Sequence, residues 1–117
     1  LKQCPINFTF KVIGKKFTVL ILRNMMHFSQ SHFNEFLEIE GINPKTLSQR
    51  LKEMQKSGLI DRKVHAGTPV SIEYFLTERG RALQPVLQQL MAFSMQHYPK
   101  EVCKEGTPLT LDDLKTN

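Results

Sequence analysis

The stretch from Gly41 to Leu59 constrains the fold most, because it carries its own helix start, its own helix stop and one apolar stripe. Asn43 can cap a helix through its side-chain oxygen, and Pro44 suits the first helical position, where no backbone N–H is needed. Gly58 suits the far end, where the backbone turns left-handed. The sequence therefore predicts a helix from Asn43 to about Lys56.

The two faces of this predicted helix differ in character. Its apolar stripe, spaced at i, i+4 and i+7, consists of Leu47, Leu51 and Met54. Its outer face is polar and mostly cationic and consists of Lys45, Gln49, Lys52 and Lys56. A thin apolar stripe beneath a basic outer face suits insertion into a DNA groove. Taken alone, the pattern is more typical of an ordinary amphipathic surface helix with a solvated face.

Positive charge is concentrated in the same part of the chain. The 117 residues include 16 Lys+Arg and 11 Asp+Glu, which gives a formal net charge of +5. Between Gly41 and His65 there are six cations and only two anions, Glu53 and Asp61. Clustered positive charge favours a polyanionic partner, whereas the same excess spread over the surface would mainly aid solubility. The length fits one domain with its own core.

Three shorter helices are predicted before the basic one. Cys4 to Ile13 reads as a helix that Gly14 ends. Lys16 to about Met26 is apolar nearly all round, which is typical of a buried helix, although a buried strand fits the same composition. His32 to Leu37 opens a third, short helix. A brief turn around Glu40–Gly41 then joins it to the basic helix, and this arrangement is a helix-turn-helix.

After Gly58 the pattern changes from helical spacing to alternation. Leu59 to His65 is extended, Ala66 to Pro69 has turn chemistry, and Val70 to Leu76 alternates between apolar and other residues. The result is a hairpin, with three basic or titratable residues near its tip: Arg62, Lys63 and His65. Directly after a helix-turn-helix, such a hairpin is interpreted as a wing. The alternative is a plain hairpin that covers the core.

A last long helix is predicted from Thr77 to about His97, with Pro85 kinking it from inside and Pro99 ending it. Its apolar residues cover about half of the circumference, which is more than one core needs. The excess favours a second copy of the chain as a partner, and the alternative is one core that wraps both sides. We therefore expect a DNA-binding and dimerisation domain at residues 1–98 and a loosely ordered tail at residues 99–117.

No pattern for catalysis or metal binding is found. The four histidines have no metal-ligand spacing, and the two cysteines form no CxxC pair. A Gly-rich phosphate loop is missing, and no apolar run reaches membrane-spanning length. Without a signal-peptide pattern, the expectation is a cytoplasmic protein that is not an enzyme, with no cofactor and no membrane partner. A small-ligand pocket between the last helix and the core would leave no sequence signature.

Two segments carry a resemblance to a known family: Ile42 to Met54 (INPKTLSQRLKEM) and Tyr74 to Gly80 (YFLTERG). Three shorter ones support it: Gly14–Phe17, Leu20–Arg23 and Phe33–Phe36. From Cys4 to about Phe93 the chain resembles the HxlR-type winged-helix transcription regulators, distant relatives of the MarR regulators. The resemblance implies a homodimer on a partly palindromic operator, with the Asn43–Lys56 helix in the major groove. It also implies that the first and last helices build the dimer interface.

The chain departs from the family pattern at a few positions. Phe17 stands where the family usually has Trp, His32 where it often has a basic residue, and Asn43 where Ser is frequent. Cys4 before Pro5 is a family feature, and some members use that cysteine to sense oxidants or electrophiles. If the terminal helices build the interface, Cys4 of one copy could approach Cys103 of the other. The alternative is an inert thiol near a frayed end.

Together these observations predict a mainly α fold with a small β-hairpin wing, a winged helix-turn-helix whose terminal helices form a homodimer interface. The residues expected to contact DNA are Lys45, Thr46, Ser48, Gln49, Arg50, Lys52, Lys56, Arg62, Lys63 and His65. The residues expected in the interface are Ile6, Phe10, Leu83, Val86, Leu87, Leu90, Met91 and Phe93. The expected function is a sequence-specific, dimeric transcription regulator of operator DNA, open to redox control through Cys4. The alternatives are a protein-interaction module on the same scaffold and a small-ligand-responsive repressor.

Overall fold

The structure is a computed structural model that describes residues 1–115 of the chain. Its elements, in order, are α1 (Pro5–Ile13), α2 (Thr18–His27), α3 (Phe33–Phe36), α4 (Pro44–Lys56), β1 (Ile60–His65), β2 (Ser71–Leu76), α5 (Glu78–Arg81), α6 (Gln84–His97), α7 (Pro99–Val102) and α8 (Leu111–Leu114). The chain forms two compact units, Leu1–Arg81 and Ala82–Asn117. The first unit holds α1 to α5 and the hairpin, and the second holds α6 to α8.

The predicted helix-turn-helix is confirmed as α3 and α4. Asn43 Oδ1 accepts a hydrogen bond from the backbone N–H of Thr46 at 2.8 Å, so the cap forms as its sequence indicates. At the other end Gly58 has φ +80°, the left-handed region that favours glycine. Leu47, Leu51 and Met54 are each at most 1% exposed, so the apolar stripe of α4 is fully packed.

The core of the first unit gathers around α2, which is a helix and not the strand that its composition also allowed. Ile21 and Leu22 are fully buried in it, together with Phe36 of α3. Leu20 is 37% exposed, so the expectation that this helix is buried nearly all round is wrong on one side. The helix begins at Thr18 and not at Lys16, because Phe17 takes a left-handed backbone conformation, φ +76°.

β1 and β2 form the predicted antiparallel hairpin, which we call the wing. The register pairs Ile60 with Leu76 at the base and His65 with Ser71 at the tip. The base is buried through Ile60 and Tyr74, whereas residues 61–71 are exposed. Most of the wing therefore stands away from the core, and the alternative of a plain covering hairpin does not describe it.

The prediction of one kinked helix from Thr77 to His97 is wrong. The segment forms two helices, α5 and α6, separated at Ala82 and Leu83. Pro85 lies in the first turn of α6, where its missing N–H costs no helical hydrogen bond, so it starts a helix and kinks none. The boundary between the two compact units falls after Arg81, and the segment predicted as a loosely ordered tail contains the short helices α7 and α8. The last two positions of that segment, 116 and 117, lie outside the described residues.

Candidate nucleic-acid interface

The outer face of α4 is exposed to solvent along its length. Lys45, Gln49, Lys52 and Lys56 are all exposed and lie opposite the packed stripe. Thr46 and Ser48 flank this face and are half-buried. The N-terminal half of α4 thus presents one amide and short hydroxyl groups, and cations continue along the whole helix. These are the groups that read base edges and contact phosphates in a DNA groove.

Glu53 is the one acidic side chain on α4, and it accepts three hydrogen bonds. Its Oε2 accepts from Lys15 Nζ at 2.9 Å and from Gln49 Nε2 at 3.1 Å. Its Oε1 accepts from Arg50 Nη1 at 3.0 Å. The Lys15 bond is the largest cause that lowers the pKa of Glu53, and the Gln49 and Arg50 bonds add to it against the opposing effect of burial. The carboxylate is therefore ionised at neutral pH. In the sequence Glu53 stands out only as one of two anions between Gly41 and His65, and no local pattern indicates its hydrogen bond to the distant Lys15.

Arg50 was expected to contact DNA, but its side chain turns towards the protein and is mostly buried. The side chain is 17% exposed. Besides Glu53, it binds the backbone of the turn before α2, because Nε donates to the carbonyl of Lys16 at 2.8 Å. Arg50 therefore fastens α4 to the α1–α2 turn. The same turn brings Lys15 beside α4, together with an exposed Lys16 whose Nζ lies 5.1 Å from the centre of the Phe17 ring.

The cations of the wing lie on two different faces. Neighbouring side chains on a strand alternate, so Arg62 opposite Tyr74 and Lys63 opposite Glu73 point to opposite sides. Tyr74 is buried, which makes the Arg62 side the inner one. Lys63 and His65 share the outer side, where His65 Nε2 lies 3.1 Å from Glu73 Oε1. All three predicted wing residues are exposed, but they do not form one cluster.

The angle between α4 and the wing is fixed by the segment after β2. Arg79 Nη1 donates to the carbonyl of Ser57 at 3.0 Å, which satisfies the end of α4. Thr77 N donates to the carbonyl of Leu59 at 3.1 Å, and the Thr77 hydroxyl accepts from Gly80 N at 3.1 Å. The Thr-Glu-Arg-Gly part of the resemblance therefore holds the wing at a set position on the helix.

His32 lies at the start of α3 and takes part in its cap. The backbone N–H groups of Ser31 and His32 both donate to Glu35 Oε1 at 2.9 Å. The Ser31 bond, followed by the His32 bond, lowers the pKa of Glu35. His32 Nδ1 lies 3.2 Å from the same oxygen. The position is exposed, and its imidazole is engaged with the cap of α3.

Apolar side chains are exposed on α1 and on α6. On α1 these include Ile6, 70% exposed, and Phe10, 58% exposed. On α6 the exposed apolar residues are Val86, Leu90 and Phe93. Of the other residues expected in the interface, Leu83 and Met91 are half-buried. Leu87 is buried already within the single chain.

The two cysteines differ in access. Cys4 lies at the N-cap position of α1 and is exposed, whereas Cys103 follows α7 and is 8% exposed. Among residues 1–115, no three His, Cys, Asp or Glu side chains are grouped in a way that could hold a metal ion. Within the same residues, every helix is too short or too polar to span a bilayer.

Comparison with known proteins gives the family. Residues 12–102 match the model of the HxlR-like helix-turn-helix proteins. The HTH-type transcriptional regulator YodB of Bacillus subtilis is 38% identical over 96 residues, which cover 80% of this chain and 85% of YodB. The chain belongs to the HxlR-like helix-turn-helix family. Its relatives place it in the functional class of transcription regulators.

Solved structures agree with this assignment and with the winged helix-turn-helix fold. The reduced form of YodB from B. subtilis superposes with a TM-score of 0.69 at 34% identity, over 88% of this chain and 97% of YodB. The redox regulator HypR in its oxidised form superposes with a TM-score of 0.71 at 34% identity, over 78% of this chain and 94% of HypR. The HxlR resemblance drawn from the two sequence segments is therefore confirmed.

Proposed function

We propose that this HxlR-family chain is a sequence-specific DNA-binding regulator that acts as a homodimer on a partly palindromic operator. The observation that carries the proposal is the pair of faces on α4. Three leucine and methionine side chains anchor the helix in the core, and the opposite face offers Gln49 between exposed lysines. A helix held in this way can enter the major groove without loss of its own packing.

Seven of the ten predicted contact residues are assigned to DNA contacts in this proposal. Lys45, Thr46, Ser48 and Gln49 lie near the start of α4, where a groove-inserted helix meets base edges. Lys52 and Lys56 continue along the helix toward the phosphates, and the wing adds Lys63. Arg50 acts as a support of α4, since its largely buried side chain donates from Nε to the Lys16 carbonyl and from Nη1 to Glu53.

The proposed dimer uses the exposed apolar side chains of α1 and α6. Ile6, Phe10, Leu90 and Phe93 are each about half exposed or more in the single chain. A two-fold related copy would cover them and would place two α4 helices on successive turns of the operator. The relatives YybR and YodB of Bacillus subtilis, both named as HTH-type transcriptional regulators, favour this function over a protein-interaction module without DNA specificity.

Salt dependence tests the proposal. Binding to DNA through several lysine–phosphate contacts should weaken by orders of magnitude between about 50 and about 200 mM salt, because each contact releases condensed counterions. Affinity would be measured by fluorescence anisotropy at several salt concentrations, with the specific site and with a scrambled duplex. Affinity that hardly changes with salt, or that is equal for the two duplexes, would contradict specific DNA binding.

Redox control through Cys4 is a second proposal, and the exposure of Cys4 at the start of α1 supports it. YodB has been solved in reduced and diamide-treated forms, and HypR in oxidised and reduced forms. For this chain we infer that Cys4 reacts first, because Cys103 is buried and would need a local opening before it could form a disulfide with the partner copy.

Oxidation of the purified protein tests this second proposal. Mild oxidant should give a reducible covalent dimer and a changed operator affinity, and Cys4→Ser should abolish both effects. Cys103→Ser tests whether Cys103 is the partner of Cys4, because a Cys4–Cys103 bond between copies requires both thiols. If the wild type and Cys4→Ser bind DNA equally before and after oxidant, Cys4 is not a sensor.

A further inference from the structure

The hydrogen bonds of Glu53 hold the amide of Gln49, the central polar group on the outer face of α4. Gln49 and Glu53 are one helical turn apart, and Gln49 Nε2 donates to Glu53 Oε2 at 3.1 Å. Arg50 and Lys15 donate to the same carboxylate from two other directions. Glu53 is therefore pinned by its neighbours, and through it the amide of Gln49 has a fixed partner.

A glutamine amide can usually turn over, because its oxygen and its NH₂ group have nearly the same shape. Beside Glu53 it cannot, since a carboxylate oxygen attracts the NH₂ group and repels the amide oxygen. The carboxylate stays ionised because its three donors lower its pKa. Oε1 of Gln49 is then left as the outward acceptor, and no hydrogen bond within residues 1–115 occupies it.

We infer that Glu53 is a positioning residue for base recognition, which fixes the Gln49 amide with its oxygen outward and so selects adenine at one operator position. Nε2 carries two hydrogens, so the bond to Glu53 leaves one free. Oε1 can accept from N6 of adenine while the free Nε2 hydrogen donates to N7, the bidentate pairing that distinguishes adenine in the major groove. Guanine presents two acceptors there and cannot satisfy Oε1.

This inference rests on the proposed function, and it adds a cause for the specificity. If the Gln49 amide could turn freely, DNA binding would have to fix its orientation. The free-energy cost of this ordering would reduce the preference for adenine over the other bases. Glu53→Gln removes the charge that dictates the amide orientation and keeps the shape of the side chain. The expected effect is a loss of preference for adenine at the Gln49 position of about three- to tenfold, the equivalent of ordering one long side chain.

The test measures relative affinities for a duplex enriched from a random pool and for three duplexes that differ only at the Gln49 position. The proteins are the wild type, Glu53→Gln, Gln49→Ala and the double variant. Loss of the negative charge strengthens binding to all duplexes, so the readout is the ratio between adenine and the other bases. Glu53→Gln should lower this ratio in the wild-type background and leave it unchanged in the Gln49→Ala background.

Lys15→Met is the matched control, because it removes another partner of Glu53 and leaves the Gln49–Glu53 bond in place. It should weaken all duplexes alike. If Lys15→Met lowers the adenine ratio as much as Glu53→Gln does, Glu53 acts by placing the helix, and the inference is overturned. The same holds if Gln49→Ala flattens the ratio and Glu53→Gln does not, although the proposed function then stands. A wild type without any sequence preference overturns both.

A measurement on the unmodified protein covers the case in which Glu53→Gln does not fold. In the free wild type, the NMR signals of the Gln49 side-chain amide should shift with pH as Glu53 is protonated, at a pH below the ordinary range for glutamate. The amide of Gln55, on the same helix, serves as an internal reference. If the Gln49 signals do not follow Glu53, the inference is wrong.

Discussion

Gly80 shows how a single residue sets the position of the wing relative to α4. It is buried in α5, and a Cβ at this position would overlap the carbonyl oxygen of Leu59 and lie 3.0 Å from its carbonyl carbon. The same carbonyl accepts from Thr77 N and holds the start of the wing. A side chain here must move backbone, and no flexible group can yield in its place.

We therefore expect Gly80→Ala to lower the free energy of unfolding by about 3 kcal/mol or more, through overpacking and the loss of the Leu59 hydrogen bonds. Chemical denaturation measures the change. Gly41→Ala is the control, because its added Cβ meets only Phe17 Cζ at 3.8 Å and its cost is that of a left-handed alanine, about 1–2 kcal/mol. Equal costs for the two variants would show that close packing at Gly80 is not important.

Residues with local partners could be predicted from the sequence, and residues with distant partners could not. The signals for the Asn43 cap, the left-handed Gly58 and the spacing of the apolar stripe of α4 all lie within one or two helical turns. Arg50 and Glu53 bind Lys16 and Lys15, which are 34 and 38 positions away. Composition alone placed Arg50 among the DNA contacts, because nothing in its own helix reveals the distant carbonyl that it binds.

In the wing, a phosphate contact can be distinguished from a base contact by experiment. Lys63 lies on the outer side of the hairpin, opposite Glu73, and Arg62 lies on the inner side with Tyr74. If Lys63 contacts a phosphate, Lys63→Ala should weaken all sequences alike and reduce the salt slope by about one. Lys104→Ala removes an exposed lysine outside the helix-turn-helix and the wing, and should leave the slope unchanged. An effect on the specific site alone would make Lys63 a base reader.

Element boundaries were predicted well where one signal acts, and poorly where a signal has two meanings. Proline inside an apolar pattern can kink a helix or begin one. The pattern from Thr77 to His97 gave no means to choose, and the chain in fact ends α5 at Arg81 and begins α6 at Gln84. The wing was easier, because the change from helical spacing to alternation occurs directly after Gly58.

For the whole molecule, the proposed binding to a partly palindromic operator requires a second copy of the chain. Leu90 is 47% exposed in the single chain, so a charge there should be tolerated by the fold and not by a packed interface. Leu90→Glu should be folded by circular dichroism, monomeric by sedimentation, and at least tenfold weaker on the operator. Gln96→Glu adds the same charge to an exposed position of α6 away from Leu90, and should remain dimeric. A dimeric Leu90→Glu protein would place the interface elsewhere.

Recognition of an operator by α4 is tested most directly by selecting bound sequences from a random pool of duplex DNA, with the wild type and with Gln49→Ala. For a homodimer we expect an enriched site made of two inverted half-sites, whose centres are about 34 Å apart, one turn of B-DNA, or a multiple of that. Gln49→Ala should lose the preference at one position of each half-site, at a cost of about 1–3 kcal/mol, and keep the others. If no sequence is enriched, or if Gln49→Ala selects the same site with the same preferences, α4 is not the recognition helix.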